Sequence, residues 1–324
     1  MSTERDVVVC EVGLRDGLQN LDRVLDLGIK KQWIKAEAAA GVSEIEVGSF
    51  VNFQRLPQMA DTAALVAFAK TVNGLKVTVL VPNAHGAKLA IQAGADRLSV
   101  PVSASESHSQ DNVNRSHQQM IAEVVAIRDM INALPEARRP LLEVGISTAF
   151  GCTIEGAIAQ SKVVSLARQL VAAGADEIGL ADTVGIANPI MVRNRVRSVK
   201  DAIGWHRLTT VHLHNTRGLG LANAAAALEE GVKTLDASLA GLGGCPFVPG
   251  ATGNIVTEDL VFMLESMGLR TGIEIDRLMQ VREFLAKHMP DIPLSGFLAV
   301  AGLPMAWTQS SPDIVAQNST MPTG

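Results

Sequence analysis

The chain has 324 residues, 47% of them hydrophobic and only 3% aromatic, with no tyrosine and a formal net charge of −5. No concentrated cationic stripe is present, which argues against a nucleic-acid partner, and the longest apolar stretch, 297–307, is too short to span a bilayer and contains Pro304. Cys10, Cys152 and Cys245 are too few and too scattered for a disulfide framework, and the opening residues MSTERD form neither a signal core nor an Arg-rich presequence, so the expectation is a cytoplasmic protein with no membrane partner.

The first strand-like run covers 7–12 and ends in the polar segment Gly13-Leu14-Arg15-Asp16-Gly17-Leu18-Gln19-Asn20. A unit then recurs: a helical segment, a glycine, and a short β-rich run. It appears as AAAGVSEIEVGS near Gly41, IQAGADRLSVPV near Gly94, VAAGADEIGLAD near Gly174 and LEEGVKTLDASL near Gly231. Glycine just past a helix takes the left-handed cap conformation and releases the chain into the next strand. Further strand-like runs lie at 76–81, 141–147 and 209–215. The total is eight strands, each followed by a helix-length segment, which predicts a (β/α)8 TIM barrel. Doubly wound sheets alternate in the same way, but no G-x-G-x-x-G or Walker loop follows the first strand. The Val, Ile, Leu and Ala content suits parallel strands buried on both faces. A closing helix is expected over 273–288, which gives a catalytic barrel over 1–290 and a short C-terminal helical extension over 291–324 with a frayed tail.

In such a barrel the chemistry sits at the C-terminal ends of the strands. The run TTVHLHNT at 209–216 places His212 and His214 two residues apart on a strand, so both imidazoles point the same way. Two charged rings would repel, and the pair makes best sense as neutral rings sharing one cation, with Asp16 as a carboxylate from the first strand's end. Other polar residues at strand ends are Glu46, Ser49, Asn83, Ser147 and Asp182. Glu46 lies between Ile45 and Val47, where an unpaired carboxylate is costly, so pairing with Arg15 or with a metal-bound group is the economical arrangement. A purely structural ion pair explains it nearly as well, and Asp182 could simply cap the next helix. His85, His108, His117, His206 and His288 have no comparable context and read as ordinary surface or loop residues. Cys10 reads as a small buried hydrophobe. Cys245, set among glycines and a proline, has no packing reason to be there; neutral it could donate a proton, and as a thiolate it could attack.

These segments resemble the 3-hydroxy-3-methylglutaryl-CoA lyase family, over about 7–288. The resemblance is carried by EVGLRDGLQN at 11–20, SFV at 49–51, PQMAD at 57–61, FGCTIEG at 150–156, ADTVG at 181–185, HLHNT at 212–216 and GLGGCPFVPGATGNIVTEDL at 241–260. Isopropylmalate and homocitrate synthases share the first and seventh strand motifs but differ where this chain has Gly-Gly-Cys-Pro. The resemblance implies that Asp16, His212, His214 and Asn254 bind Mg2+ or Mn2+, that Arg15 holds the thioester carbonyl, and that Cys245 is a mobile proton donor. It places Glu46 and Asp182 among the active-site residues and Asn114 against coenzyme A, while Gln19, Ser49 and Asn83, polar residues at the strand ends, are expected to contact the substrate. The implied reaction is C2–C3 cleavage of an acyl-CoA substrate by a homo-oligomeric enzyme. Asp182, Asp16 and His212 all remain candidates for moving the hydroxyl proton. Leu21 and the segment 52–55 depart from the family's pattern, which bears on substrate fit and leaves room for a related branched 3-hydroxyacyl-CoA. The competing expectations are a condensing synthase running the same chemistry forwards and a non-catalytic barrel that binds a metal or a CoA ester.

Overall fold

A computed structural model of the protein describes residues 5–243, 253–305 and 307–309. Eight parallel strands close into a barrel in chain order: β1 (Val8–Glu11), β2 (Glu44–Ser49), β3 (Lys76–Leu80), β4 (Arg97–Ser103), β5 (Leu141–Ser147), β6 (Glu177–Asp182), β7 (Leu208–Leu213) and β8 (Thr234–Ala237). Closure is made by β1 against β8, with Val8 opposite Thr234 and Cys10 opposite Asp236. The helices that return the chain include α1 (Leu27–Ala39), α2 (Thr62–Ala69), α3 (Ala84–Ala93), α4 (Glu106–Val113) and α5 (His117–Asn132). They continue with α6 (Gln160–Ala172), α7 (Pro189–Ile203), α8 (Gly220–Glu229) and α9 (Thr257–Ser266). After these, α10 (Ile275–His288) packs on α1, and a single turn, α11 (Leu298–Ala301), is the helical element of the C-terminal extension among the described residues. Gly41, Gly94, Gly174 and Gly231, the four glycines of the recurring unit, all have positive φ, as helix-ending residues should. No described helix is long and apolar enough to cross a membrane.

The two faces of the strands carry different chemistry. Ile45, Val47, Val77, Val79, Leu98, Val100, Leu142, Val144, Ile178, Val211 and Leu235 are fully buried and point out towards the helices. Each such side chain contributes about 1.5–3 kcal/mol when removed from water. The alternate positions point into the barrel and are mostly polar or small, with Leu80 and Pro101 as apolar exceptions in the cleft wall. Arg97 on β4 reaches Glu143 on β5 at 2.6 Å, Glu177 on β6 at 2.9 Å and Glu44 on β2 at 3.3 Å. Because β2 and β6 are both two strands away from β4, only an inward side chain can touch both. The aliphatic residues that composition assigned to a barrel core therefore form the strand–helix layer, and the barrel interior is ionic in its N-terminal half.

Candidate metal centre and catalytic cleft

At the other end of the barrel, β1 runs into a π-helical turn, Gly13–Gly17, in which the Gly17 N–H reaches back to the Val12 carbonyl at 3.3 Å. One wide turn of this kind re-aims side chains and is frequent at functional sites. Here it brings Arg15 and Asp16 together over the barrel mouth. Arg15 donates through Nε to Glu46 and through Nη1 to Asp16 Oδ1 at 2.5 Å. Glu46 is therefore paired with Arg15, one of the two arrangements its position in β2 allowed.

His212 and His214 lie with their Nε2 atoms 3.1 Å apart, and each is 3.8 Å from Asp16 Oδ2. One ligand atom from each of the three residues lies within 4.8 Å of the others. His214 stands just past β7 and is bridged to Asn254 on the returning chain. That return is narrow: Asn215 N–H bonds Gly253 O at 2.9 Å and Ile255 N–H bonds Leu213 O at 3.2 Å. A Cβ on Gly253 would stand 1.0 Å from the Gly243 carbonyl oxygen, so only glycine fits. Asn254 Nδ2 donates to Asp16 Oδ2 at 2.6 Å, and its Oδ1 is buried with no hydrogen-bond partner among the described residues.

The electrostatics favour positive charge at this point. Burial raises the Asp16 carboxyl, but the Arg15 charge, the His214 hydrogen bond and the His212 charge overcome it and hold the group well below the usual carboxylate range. Burial pulls the His212 imidazole down, yet the Asp236 hydrogen bond and the Asp16 charge leave it raised. Burial pushes Glu46 up, with Arg15 opposing. Two imidazoles, a carboxylate and a buried amide oxygen without a partner are a donor set that fits a divalent cation such as Mg2+ or Mn2+. The cluster opens into a cleft of about 410 Å3 lined by Arg15, Asp16, Gln19, His212 and His214, among others.

The remaining expected residues are distributed unevenly. Gln19 lines the cleft, with Nε2 3.5 Å from Asp16 Oδ1. Asp182 ends β6, but its two carboxylate oxygens accept from Ile186 N–H and Ala187 N–H, each at 3.0 Å, so it holds its own loop. Asn83 caps α3 by accepting from Gly86 N–H at 3.0 Å. Ser49 is buried, and its carbonyl accepts from Thr62 Oγ1 at 3.1 Å. Asn114 is exposed and ends α4 with a φ of 52°, beside the cleft-lining residues Asn112 and Val113. Cys245 lies outside the described residues. Cys10 is buried, as expected.

Three residues acquire parts that sequence reasoning did not give them. His108 was expected at the surface; it is instead buried, lines the cleft and shares a hydrogen bond of 2.6 Å with Ser103 Oγ through Nδ1. The first turn of α4 folds it inward over the end of β4. Asp236 on β8 holds His212 Nδ1 at 3.1 Å, which fixes the ring so that Nε2 faces the metal point. Its signal was present in Thr-Leu-Asp-Ala, a carboxylate between apolar strand residues. Glu11 is completely buried and accepts from Gly13 N–H at 2.8 Å, Leu239 N–H at 2.9 Å and Thr257 Oγ1 at 2.6 Å. It thus ties the turn carrying Arg15 and Asp16 to the segment after β8 and to the residue three beyond Asn254.

Fold and site together define a metal-binding TIM barrel whose ligands stand at the C-terminal ends of its strands. The HMGL-like family model matches residues 6–285, and the chain belongs to that family. It is 38% identical over 281 residues to the cytoplasmic 3-hydroxy-3-methylglutaryl-CoA lyase of Rattus norvegicus, covering 87% of this chain and 80% of that protein. It is 37% identical over 285 residues to the mitochondrial hydroxymethylglutaryl-CoA lyase of Macaca fascicularis, covering 88% and 86%. Among solved structures it is similar to an HMG-CoA lyase from Acinetobacter baumannii in complex with coenzyme A and 3-methylmalate. The TM-score there is 0.86 at 37% identity, over 95% of this chain and 99% of that one.

Proposed function

We propose that the protein is a divalent-metal-dependent carbon–carbon lyase that cleaves 3-hydroxy-3-methylglutaryl-CoA, or a closely related branched 3-hydroxyacyl-CoA, to acetyl-CoA and a 3-oxoacid. The observation that carries this reading is the convergence of Asp16, His212 and His214 beside Arg15 at the mouth of one cleft. Asp16, His212, His214 and Asn254 would hold the cation, which supplies Lewis acidity that makes the substrate hydroxyl easier to ionise. Arg15 is immobilised by Glu46 and Asp16, so its free donors form a fixed fork for the thioester oxygen, where enolate charge develops. The reaction balances without an oxidant: the hydroxyl loses its proton, the C2–C3 bond breaks, and C2 gains a proton. For that last step we assign Cys245, on the resemblance of its Gly-Gly-Cys-Pro segment to the family's. Gln19 at the cleft wall and Asn114 near its mouth are assigned to substrate and coenzyme A. The amide bonds to Asp182 favour a loop-ordering part for that residue over proton transfer.

The deciding assay incubates purified protein, Mg2+ and 3-hydroxy-3-methylglutaryl-CoA and looks for acetoacetate plus acetyl-CoA. His214→Ala should weaken metal binding, measured by calorimetry, and activity together, with excess metal partly restoring turnover. Equal metal affinity in mutant and parent would remove the ligand assignment.

A further inference from the structure

Below the metal point the cleft continues down the barrel, between Ser99, Glu143, Gly145, Gly179, Thr210 and Asp236. A TIM barrel is ordinarily filled at this level by bulky branched side chains. Two of these six residues are glycines, and they are register partners on neighbouring strands, Gly145 on β5 and Gly179 on β6. They are not equivalent. The place of a side chain on Gly179 is taken by Glu143, whose Oε1 lies 2.9 Å from where a Cβ would stand. At Gly145 no atom of the described residues lies within 4 Å of that point. Gly145 is not among the positive-φ residues, so its backbone does not require glycine. A strand glycine without a conformational reason marks a place kept clear for something else.

What enters this space is constrained from both ends. Coenzyme A is far too large to pass down the barrel, so the thioester must face the mouth, beside Arg15, and only the acyl end can descend. A carboxylate is a poor occupant of the lower cleft. Glu143 and Asp236 face it, and the nearest guanidinium beneath, on Arg97, is already surrounded by Glu44, Glu143 and Glu177. An uncharged group meets no such penalty, and Ser99 and Thr210 offer hydroxyls to it.

We propose that this shaft is an acyl subsite for 3-hydroxyacyl-CoA substrates whose uncharged C3 substituent is longer than methyl, with Gly145 setting the length admitted. The inference rests on the lyase reading above for its chemistry. The bond changes are the same, C2–C3 cleavage with the hydroxyl proton lost and C2 protonated, and the second product becomes a longer 3-oxoacid.

The test uses two substrates, 3-hydroxy-3-methylglutaryl-CoA and 3-hydroxy-3-propylglutaryl-CoA, on the metal-loaded protein and its Gly145→Ala and Gly145→Val variants, each first shown to melt cooperatively. The parent should cleave the propyl ester. The ratio of kcat/KM for propyl over methyl should fall about tenfold or more in Gly145→Val, with Gly145→Ala between, since steric discrimination of a few carbons is of that size. A ratio unchanged by valine, or a parent that neither binds nor cleaves the propyl ester, would overturn the subsite. If the parent binds both esters and cleaves neither, the lyase reading fails by itself. Calorimetric affinities then decide the subsite: a selective loss of propyl-ester binding in Gly145→Val upholds it, and equal affinities for the two esters reject it.

Discussion

Two arginine–carboxylate clusters share the interior of this barrel, and they do opposite things. In the N-terminal half, Arg97 is enclosed by Glu143, Glu177 and Glu44, delivered from three strands, and it is 4% exposed. At the C-terminal rim, Arg15 is held by Glu46 and Asp16 but remains at the wall of an open cleft. Its surroundings also contain what the lower cluster lacks: two imidazoles aimed at one carboxylate oxygen and a buried amide oxygen with no partner among the described residues. Residue type alone does not separate a plug from a site. What separates them is whether the charges close on each other, as below, or leave donors aimed at a common point, as above.

The contrast is broken most forcefully from below. Arg97→Met would leave three carboxylates in the barrel interior without their shared counter-charge, and loss of one partner of a buried ion pair costs about 3–5 kcal/mol. Urea unfolding should record that loss while turnover per folded molecule holds. A large fall in turnover with unchanged stability would show that the lower cluster belongs to the site. The matching change above is Arg15→Lys, which keeps the charge and loses the planar fork. It should lower kcat by about 10²–10³-fold, the scale of one lost donor to a developing oxyanion, with the fold and metal affinity retained. A modest change confined to KM would reduce Arg15 to a substrate-binding residue.

The sequence made the upper cluster partly legible and hid the lower one. His212 and His214 declared themselves by their spacing, and Glu46 by its place between Ile45 and Val47. The eight-fold count followed from four glycines that end helices together with four further β-rich runs. The polarity of the barrel interior did not show, because in a parallel barrel both faces of a strand are buried and composition averages them. Glu143 sits between Leu142 and Val144 much as Glu46 sits between Ile45 and Val47, but Arg97 and Glu177 each follow an aspartate at a strand's start, and the meeting of Arg97 with Glu44 and Glu177 depends on strands two places apart. Asp16 was expected at a strand's end, whereas a π-helical turn carries it. His108 could not be placed because its burial depends on how α4 folds over the barrel, which no local pattern encodes.

Glu143 stands where the two regions meet, and it gives the finest test of their separation. It is bonded to Arg97 on one side and lines the cleft on the other. Burial pushes its pKa up to about 7 against the pull of Arg97, with Asp236 and Glu44 adding to the rise. An unfolded glutamate titrates near about 4.3. Between these values the folded chain keeps a proton that the unfolded chain has lost, so Glu143 makes stability fall as pH rises through that window. The slope from this one group is at most about 1.4 kcal/mol per pH unit. Glu143→Gln resembles the protonated form at every pH and should remove the contribution. Urea unfolding of parent and variant at about pH 5, 6 and 7 should therefore give profiles that diverge, the parent losing ground to the variant as pH rises. Parallel profiles would mean that Arg97 keeps Glu143 ionised throughout, and the lower cluster would then be a closed ion-pair network insulated from the cleft above it.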